Sequence, residues 1–309
     1  MTCTGEGIEP RFSVLIPVYN AARYIEATLL SIRNQAFESL EVIVMDGGSS
    51  DDTGKIVAGF SGLNIVWRSE PDRGQLDAVQ KAIGLARGEI LYWLNADDVL
   101  MPGSLHEVDR AFADDPALDL VFSDDFGFDE ERQTLVNGGL IKGLSFEDHA
   151  LFYRQMCSEC VFWRRERTRF LPETDFDLRL CTDYAFFLNL RRGLNVRWLP
   201  KRLGAFRIAE GQISQQFGDR LADERKRIKD RSFADVAWAP SSIRWRRIAH
   251  APSFLLRQQL RPAMAAIGRA IARTLDGNAR RRKQTCAFYV HWLNARSAPD
   301  DTINKLLYR

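Results

Sequence analysis

Apolar residues follow two alternating patterns over the first 125 residues of the chain. Short runs that are apolar almost throughout, such as 12–18 (FSVLIPV) and 40–45 (LEVIVM), are typical of strands covered on both faces. Between such runs lie segments in which apolar residues recur every three or four positions, such as 21–35, and this is helical spacing. Strands that alternate with helices in this way predict an α/β fold with a doubly wound, mostly parallel sheet.

The alternation continues to residue 124 and then changes character. We predict strands at 12–18, 40–45, 64–69, 89–95 and 118–124, and helices at 21–35, 49–60, 75–88 and about 103–112. Residues 126–210 predict mixed structure, with a turn at 137–139, helices at 145–155 and 182–193, and strands at 160–165, 196–199 and 203–208. A run dominated by charged residues at 219–231 predicts a solvated helix.

Polar residues stand at the carboxyl ends of four predicted strands, where open α/β sheets bind their ligands. These strand ends are 17–20, 46–49, 70–74 and 95–98, and three of them carry acidic residues. The sequence contains neither of the glycine-rich motifs that cradle phosphates in dinucleotide-binding and P-loop proteins. We therefore expect the acids to meet a bound phosphate through a divalent cation.

Asp97 and Asp98 are the candidates for that cation, because they follow a predicted strand and precede a turn at Pro102 and Gly103. Mg²⁺ and Mn²⁺ prefer carboxylate, water and phosphate oxygens and usually take one or two protein carboxylates. The alternative is that the two aspartates are solvated and cap the helix near residue 103.

Composition narrows the class of protein. The chain has 309 residues, of which 45% are hydrophobic, and this suits a globular protein. No apolar run reaches the roughly 18 residues that cross a bilayer, and residues 1–10 lack a basic segment followed by an apolar one, so we expect neither a membrane span nor a secretory signal. The five scattered cysteines fit a reducing cytoplasm rather than a disulfide framework.

Charge is distributed unevenly along the chain. The net charge is +2, but basic residues greatly exceed acidic ones from residue 241 onward, whereas the first 240 residues are acidic. Within the basic region, 253–275 places apolar residues on one helical arc and arginines outside it. Such a helix either lies on an anionic membrane surface or packs on the protein body. No nucleic-acid-binding motif is recognisable, so we expect no nucleic-acid partner.

Four segments, in this order, resemble the signatures of glycosyltransferase family 2, whose members are inverting transferases of the GT-A fold. They are SVLIPVYNAARYIEATLLSIRNQ (13–35), LEVIVMDGGSSDDT (40–53), EPDRGQLDAVQKAIGLARGEILYWLNADD (70–98) and TDYAFFLNL (182–190). The likeness covers roughly residues 11–210. It implies a nucleotide-sugar-binding half at 11–125 and an acceptor-binding half with the catalytic base at 126–218, after an N-terminal extension at 1–10 and before a helical basic region at 219–309.

The resemblance assigns the first two strand ends to the nucleotide. It places Pro17, Tyr19 and Asn20 in the first nucleotide-contacting loop and gives Asp46 a hydrogen bond to the base. An aromatic side chain offers a stacking face, and a carboxylate accepts an imide N–H, so uracil or thymine is favoured. The alternative is that Tyr19 packs against a helix and Asp46 caps the next one.

The resemblance also implies a metal site and a catalytic base. Asn95, Asp97 and Asp98 fall on the family's D-x-D-like motif, with Asn in place of its first Asp and with Asp98 as the better candidate for direct metal contact. Asp183 matches the catalytic base, which removes the proton of a sugar hydroxyl as that hydroxyl attacks. Thr182 stands where the family more often has Glu. The alternative role of Asp183 is a helix N-cap.

Two further regions complete the predicted site. Arg207 resembles a basic residue that clamps the donor diphosphate, and the alternative is a surface salt bridge. Asp72, Arg73 and Asp77 either contact the ribose or phosphate or cap the following helix. On these assignments the metal and Arg207 stabilise the charge that builds on the diphosphate leaving group.

The sequence thus predicts an inverting glycosyltransferase with Mg²⁺ or Mn²⁺ that moves a sugar from a nucleotide-sugar, expected to be a UDP-sugar, to a carbohydrate or lipid-linked acceptor. The expected setting is cell-surface polysaccharide or glycolipid synthesis in the cytoplasm, with peripheral contact at the inner face of the membrane. One rival is a sugar nucleotidyltransferase, which would carry a glycine-rich, lysine-containing loop where this chain has PVYNAARY (17–24). The other rival is a non-catalytic surface protein that binds nucleotide-sugars.

Overall fold

The computed structural model of the protein describes residues 9–123, 126–129, 134–137, 157–168, 177–190, 193–209 and 218–234. Several expectations lie outside these residues: the extension as far as residue 8, most of the turn at 137–139, the helix at 145–155 and the basic segment at 253–275. The domain boundaries stay predictions.

The described elements alternate between strands and helices in the first half and are mixed in the second. In chain order they are β1 (Phe12–Val18), α1 (Ile25–Arg33), β2 (Leu40–Asp46), α2 (Thr53–Gly59), β3 (Ile65–Ser69), α3 (Gln75–Leu85), β4 (Ile90–Trp93), β5 (Val99–Leu100), α4 (Ser104–Asp114), β6 (Leu120–Ser123), β7 (Phe126–Asp129), β8 (Thr134–Asn137), β9 (Val161–Arg164), α5 (Thr182–Leu190), β10 (Val196–Leu199), β11 (Gly204–Ile208) and α6 (Gly218–Ala234). Short 3₁₀ helices at Ser158–Cys160 and Arg165–Arg167 flank β9.

A seven-stranded sheet with the order β10-β6-β9-β4-β1-β2-β3 forms the centre of the fold. β1 pairs in parallel with β2 and β4, and β2 pairs in parallel with β3. β9 lies between β4 and β6 and runs antiparallel to both. A second sheet, with the order β5-β11-β7-β8, adjoins the first. The predicted doubly wound, mostly parallel sheet is therefore confirmed. β9 is an antiparallel strand within it, and its four residues do not signal its direction.

Helices cover both faces of the large sheet. α1, α2 and α4 pack on one face, whereas α3 and α5 pack on the other. On the second face, Trp93, Trp163, Phe186 and Phe187 form an aromatic cluster whose ring centroids lie between 5.3 and 6.3 Å apart. These four side chains are fully buried. Burial of each contributes about 1.5–3 kcal/mol before entropy is counted, so α5 is held firmly against β4.

The loops after β1 and β2 are longer than the sequence suggested, because their polar residues bind each other. The backbone N–H of Ala22 donates to Asp51 Oδ2 (2.9 Å), and the backbone N–H of Ala21 donates to Thr53 Oγ1 (2.9 Å). α1 therefore begins at Ile25 rather than 21, and α2 begins at Thr53 rather than 49. These contacts join the two loops, and Asp51 also accepts the backbone N–H of Thr53 at the start of α2 (3.0 Å).

Glu41 organises the opposite edge of the sheet. Its buried carboxylate accepts hydrogen bonds from Ser13 Oγ (2.6 Å) and from the Arg87 backbone (2.7 Å), and it pairs with the Arg87 guanidinium (2.9 Å). Burial alone would raise the pKa of Glu41, but these hydrogen bonds and the Arg87 charge hold it below its ordinary value. Gly88 donates to Ser13 Oγ (2.8 Å), so α3 ends at Leu85 and the chain closes onto β1.

α6 is not the fully solvated helix that its composition suggested. Glu224 and Ile228, one turn apart, are buried, whereas Asp223 and Arg227 are exposed. Across the described helices, none has both the length and the apolar character that a bilayer span requires.

We expect Gly204→Ala, at the start of β11, to lower the free energy of unfolding by about 1–3 kcal/mol, measured by urea denaturation. A Cβ at this position would overlap the backbone carbonyl of Glu159. Gly84→Ala is the control, because a Cβ there meets nothing within 4 Å and lies inside α3. It should raise stability by about 0.5–1 kcal/mol. Equal stability of the two variants would contradict the close packing of β11 on Glu159.

Candidate active site

The carboxyl ends of β1, β2, β3 and β4 lie at one edge of the large sheet, because the four strands are parallel. Asp46, at the end of β2, accepts a hydrogen bond from Ser69 Oγ at the end of β3 (2.6 Å). Gln75, after β3, donates to Asn95 Oδ1 after β4 (2.9 Å). The structure therefore brings together the polar strand ends that the sequence pattern indicated.

Tyr19 and Asn20 lie at this open edge, but Pro17 does not. The Tyr19 side chain is 66% exposed, so it does not pack against a helix. Asn20 has a φ of 49°, a left-handed conformation that Asn tolerates better than most residues. Pro17 is buried within β1, opposite Met45 of β2. Pro17 therefore shapes the strand that presents Tyr19, and its contact with a nucleotide stays a prediction.

Asp46 fixes the conformation of the loop after β2 through hydrogen bonds. Its carboxylate accepts hydrogen bonds from the Ser49 backbone (3.0 Å), the Ser49 hydroxyl (2.5 Å) and the Ser69 hydroxyl (2.6 Å). The residue is buried and contacts Ser49 rather than the first turn of α2, so it does not cap that helix. The Asp46 carboxylate therefore ties the loop after β2 to the end of β3, and its contact with a nucleotide base stays a prediction.

Asp72, Arg73 and Asp77 have different environments. Asp77 is buried and accepts a hydrogen bond from the Arg73 backbone (3.1 Å), and its carboxylate lies 3.3 Å from the Lys81 ammonium. Burial would raise the pKa of Asp77, but these contacts and the Lys81 and Arg73 charges hold it below its ordinary value. Asp77 and the exposed Arg73 thus stabilise the start of α3.

Asp72 is the acid of this segment that lies against the strand ends. Its Oδ1 accepts the Gly74 backbone N–H (2.8 Å), and its carboxylate lies over Gly47, where a Cβ would be 2.6 Å from Oδ2. Burial, followed by the negative charges of Asp77 and Asp46, raises the pKa of Asp72 above its ordinary value. The charged form of Asp72 is therefore held at a cost in stability.

The turn after β4 is fixed by a small set of hydrogen bonds. Asn95 Oδ1 accepts from Trp93 Nε1 (2.9 Å) and Gln75 Nε2 (2.9 Å), and Asn95 Nδ2 donates to Asp98 Oδ2 (3.1 Å). Asp98 Oδ1 accepts from the Arg207 backbone N–H (2.9 Å). The turn is therefore joined to β11 and to α3 by side chains and backbone groups that the sequence separates widely.

Asp97 and Asp98 face different surroundings. Asp98 is 0% exposed, and burial, followed by the charge of Asp97, raises its pKa well above the ordinary value. Asp97 is partly exposed. The Asp98 carboxylate is turned inward and hydrogen-bonded to Asn95 and Arg207, and Asp97 is the acid of the pair at the surface. Direct contact of either acid with a metal stays a prediction.

Arg207 lies beneath this turn rather than at the surface. It is 1% exposed, and its guanidinium lies between the rings of Tyr24 (5.1 Å) and Phe128 (4.8 Å). Its Nε donates to the Asp97 carbonyl (2.7 Å). The burial of Arg207 excludes the surface salt bridge, and its contact with the donor diphosphate stays a prediction. Arg207 supports the backbone that presents Asp97.

Asp183 lies in the first turn of α5. It is partly exposed, and its Oδ1 accepts the backbone N–H of Tyr184 (2.7 Å). The preceding Thr182 donates through its hydroxyl to Gln75 Oε1. The positive end of a helix dipole favours a carboxylate at this position.

The segment before α5 is anchored by a residue that the sequence did not single out. Glu224 of α6 is 7% exposed and accepts the backbone N–H groups of Arg179 (3.2 Å), Leu180 (3.0 Å) and Cys181 (3.2 Å). Burial, followed by the charge of Asp183, raises the pKa of the Cys181 thiol to about 12, so this thiol is neutral. The four-residue spacing of Glu224 and Ile228 was the available signal for a buried face.

The donor set fits a cation that is shared with a diphosphate. Within the described residues, no group of three or more His, Cys, Asp or Glu side chains could enclose a metal ion. Asp97 is one partly exposed carboxylate at the strand ends, and Mg²⁺ and Mn²⁺ are commonly held by one or two carboxylates together with waters and substrate phosphates. A cation is therefore expected only together with a phosphate ligand.

Comparison with known proteins points to one family. Residues 13–169 match the family described as Glycosyl transferase family 2. A PGL/p-HBAD biosynthesis glycosyltransferase of Mycobacterium bovis is 32% identical over 184 residues, which cover 55% of this chain and 69% of that protein.

Solved glycosyltransferase structures share the fold. S. aureus TarS 1–349 in complex with UDP-GlcNAc matches with a TM-score of 0.57 and 19% identity, over 75% of this chain and 69% of that one. Mannosyltransferase PcManGT from Pyrobaculum calidifontis, in complex with GDP-Man and Mn²⁺, matches with a TM-score of 0.51 and 19% identity, over 94% of this chain and 86% of that one. The predicted GT-A fold is thereby confirmed.

We expect Asn95→Asp to lower the free energy of unfolding at neutral pH by about 1–3 kcal/mol, because it removes the donor that the buried Asp98 requires and opposes two carboxylates. Thermal unfolding measured at pH 7 and pH 5 should show the loss shrinking as the pH falls, since the pair can then share a proton. Asn64→Asp, which adds the same charge at an exposed position, is the control. Unchanged stability at pH 7 would show that Asp98 does not depend on Asn95.

We expect Asp72→Asn to stabilise the protein at pH 7. A carboxyl whose folded pKa is raised has no penalty below its unfolded pKa, about 3.9, and loses stability as the pH rises through the folded value. The amide keeps the acceptor for Gly74 and removes the charge, so its advantage in melting temperature should fade toward pH 4. The exposed Asp114→Asn variant should show no such trend. Equal melting temperatures of Asp72→Asn and wild type at pH 7 would contradict this account.

Proposed function

This chain belongs to glycosyl transferase family 2 and is a glycosyltransferase, and from that premise we propose that it is an inverting enzyme that uses a UDP-sugar and a divalent cation. The acceptor in this proposal is a hydroxyl of a glycolipid or polysaccharide precursor, as the name of the mycobacterial relative suggests. We place the reaction in the cytoplasm, at the inner face of the membrane. The support for that location is the basic composition after residue 241, which lies outside the described residues.

The observation that carries the proposal is the arrangement of two partly exposed carboxylates around the start of α3. Asp97 follows β4, Asp183 begins α5, and Gln75 lies between them with hydrogen bonds to both neighbouring segments. A donor diphosphate next to Asp97 would place its sugar toward Asp183. This geometry supports direct transfer, because one acid is available on each side of the sugar.

The nucleotide would occupy the ends of β1 and β2. The exposed ring of Tyr19 offers a stacking face, and the Asp46 carboxylate at the end of β2 is the proposed acceptor for an imide N–H. Uracil has such an N–H, and TarS was solved with UDP-GlcNAc. Guanine also carries an N–H beside a carbonyl, and PcManGT was solved with GDP-Man. UDP is the proposal, and GDP is the competing donor that experiment must separate.

Each protein group has a defined task in the transfer. Asp97 would hold the cation, which when bound neutralises charge on the diphosphate. Asp183 would accept the proton of the acceptor hydroxyl while the oxygen of that hydroxyl forms its bond to the anomeric carbon. The bond from that carbon to the diphosphate oxygen breaks with its electron pair, so a nucleoside diphosphate leaves. Because the attack is direct, the anomeric configuration inverts.

The rival nucleotidyltransferase has no support in the loop after β1. That loop presents the exposed Tyr19 and binds the next loop through Ser49 and Ser50, and it carries neither a glycine-rich stretch nor a lysine.

The test is to incubate the protein with UDP-, GDP- and dTDP-sugars and Mn²⁺ and to measure release of nucleoside diphosphate. We expect turnover with UDP-sugars and loss of turnover with a chelator. Asp183→Asn should lower kcat by about 10²–10⁴-fold, because the proton acceptor is lost, while the Kd for UDP with Mn²⁺ stays within about twofold by calorimetry.

Asp97→Asn should instead weaken the Mn²⁺-dependent part of UDP binding. The exposed Asp114→Asn variant, remote from the site on α4, should match wild type in both assays. Turnover of Asp183→Asn at the wild-type rate would rule out Asp183 as the base. UDP binding that is equally tight with and without chelator would rule out the cation.

A further inference from the structure

Gln75 is an exposed residue whose side chain is nevertheless hydrogen-bonded at both ends. It is the first residue of α3, and its Oε1 accepts the hydroxyl proton of Thr182 at the start of α5. Its Nε2 donates to Asn95 Oδ1 in the turn after β4 (2.9 Å). A glutamine side chain that is free on a surface keeps its conformational entropy, which two specific hydrogen bonds remove. Two specific contacts at an exposed position therefore indicate a role beyond filling space.

The polarity of this link is fixed by the groups beneath it. The Trp93 indole N–H can only donate, and it donates to Asn95 Oδ1 (2.9 Å). Asn95 must therefore direct its Oδ1 toward Trp93 and Gln75 and its NH₂ group toward Asp98 Oδ2 (3.1 Å). Gln75 in turn must present its NH₂ to Asn95 and its oxygen to Thr182. The chain of donors thus runs in one direction, from α5 to the buried aspartate.

A second contact between the same regions stops short of the turn. Arg179, just before α5, donates through Nη1 to the backbone carbonyl of Arg73 (2.7 Å), and Gly74 leaves room for this guanidinium. That contact ties the segment before α5 to the segment before α3. The Gln75 link continues, through Asn95, to the turn that carries Asp97.

We propose that Gln75 is a positioning residue that couples the turn holding the donor diphosphate to the first turn of α5, so that donor binding at Asp97 fixes Asp183 for proton transfer. The proposal rests on the proposed function and adds a residue to it. Gln75 acts through Asn95 on one side and Thr182 on the other.

Removal of Gln75 should spare the fold, because each neighbour keeps its own supports. Asn95 retains its bonds to Trp93 and Asp98, and the segment before α5 retains Glu224 and Arg179. What is lost is the connection between them. The expected signature is therefore a lower kcat with unchanged nucleotide binding and a nearly unchanged melting temperature.

The kinetic test uses Gln75→Ala and Thr182→Val, with UDP release from the UDP-sugar that wild type turns over. Each variant should lower kcat by roughly tenfold to a hundredfold, since misplacement by about 1 Å costs that much. The Kd for UDP with Mn²⁺ should stay within about twofold. The double variant should be no slower than the slower single variant, and Thr182→Ser, which keeps the hydroxyl, should restore the wild-type rate.

Gln80→Ala is the matched control for loss of a glutamine side chain from α3. The Gln80 Nε2 meets no hydrogen-bond partner among the described residues, so the variant should keep the wild-type kcat. Gln75→Ala with the kcat of Gln80→Ala would overturn the proposal. Additive losses in the double variant would overturn it as well, because independent effects on Gln75 and Thr182 require no link.

Hydrogen exchange supplies a readout that does not depend on turnover. UDP with Mn²⁺ should slow amide exchange at residues 183–187 in wild type and in Gln80→Ala but leave those amides unchanged in Gln75→Ala. If wild type shows this protection and yet turns over no nucleotide-sugar, the coupling stands and the proposed function fails. If wild type turns over a UDP-sugar and Gln75→Ala keeps both its kcat and the protection, the coupling fails and the proposed function stands.

Discussion

The buried carboxylate of Asp98 joins the two sheets of this protein at their common edge. It accepts a hydrogen bond from the Arg207 backbone in β11 and another from Asn95 after β4, so the small sheet is held against the end of the large one. A buried charge without hydrogen-bond partners costs several kcal/mol, so the folded protein requires both hydrogen bonds to Asp98. Arg207 Nε also donates to the Asp97 carbonyl, and this hydrogen bond fixes the backbone position of Asp97.

The acidic residues at this end of the sheet form two groups, one buried and one partly exposed. Asp46 and Asp98 are buried and accept hydrogen bonds from hydroxyl, amide and backbone groups, so they fix loops and turns. Asp97 and Asp183 are partly exposed and begin or follow elements that the buried group holds. Burial of the Asp46 and Asp98 carboxylates costs stability. In return, these carboxylates fix the loops and turns at this end of the sheet. Preorganised charges of this kind are what catalysis of group transfer requires.

The sequence was sufficient for the sheet and for the gathering of polar strand ends, because buried strands such as 12–18 and 40–45 are read from their own residues. It was not sufficient for the orientation of Asp97 and Asp98. That orientation depends on Arg207, which lies more than a hundred positions away along the chain. The sequence did not indicate the roles of Glu224 and Gln75 for the same reason. Their contacts join different elements and leave no local sequence pattern.

The anchorage of the segment before α5 by Glu224 has a consequence for dividing this protein into parts. The family match ends at residue 169, yet the carboxylate that receives the backbone of residues 179–181 comes from a helix that begins at Gly218. α5 and α6 therefore depend on each other and should be exchanged together. A chimera that swaps this part of the sequence between relatives would preserve the position of Asp183 only when both helices are taken from the same parent.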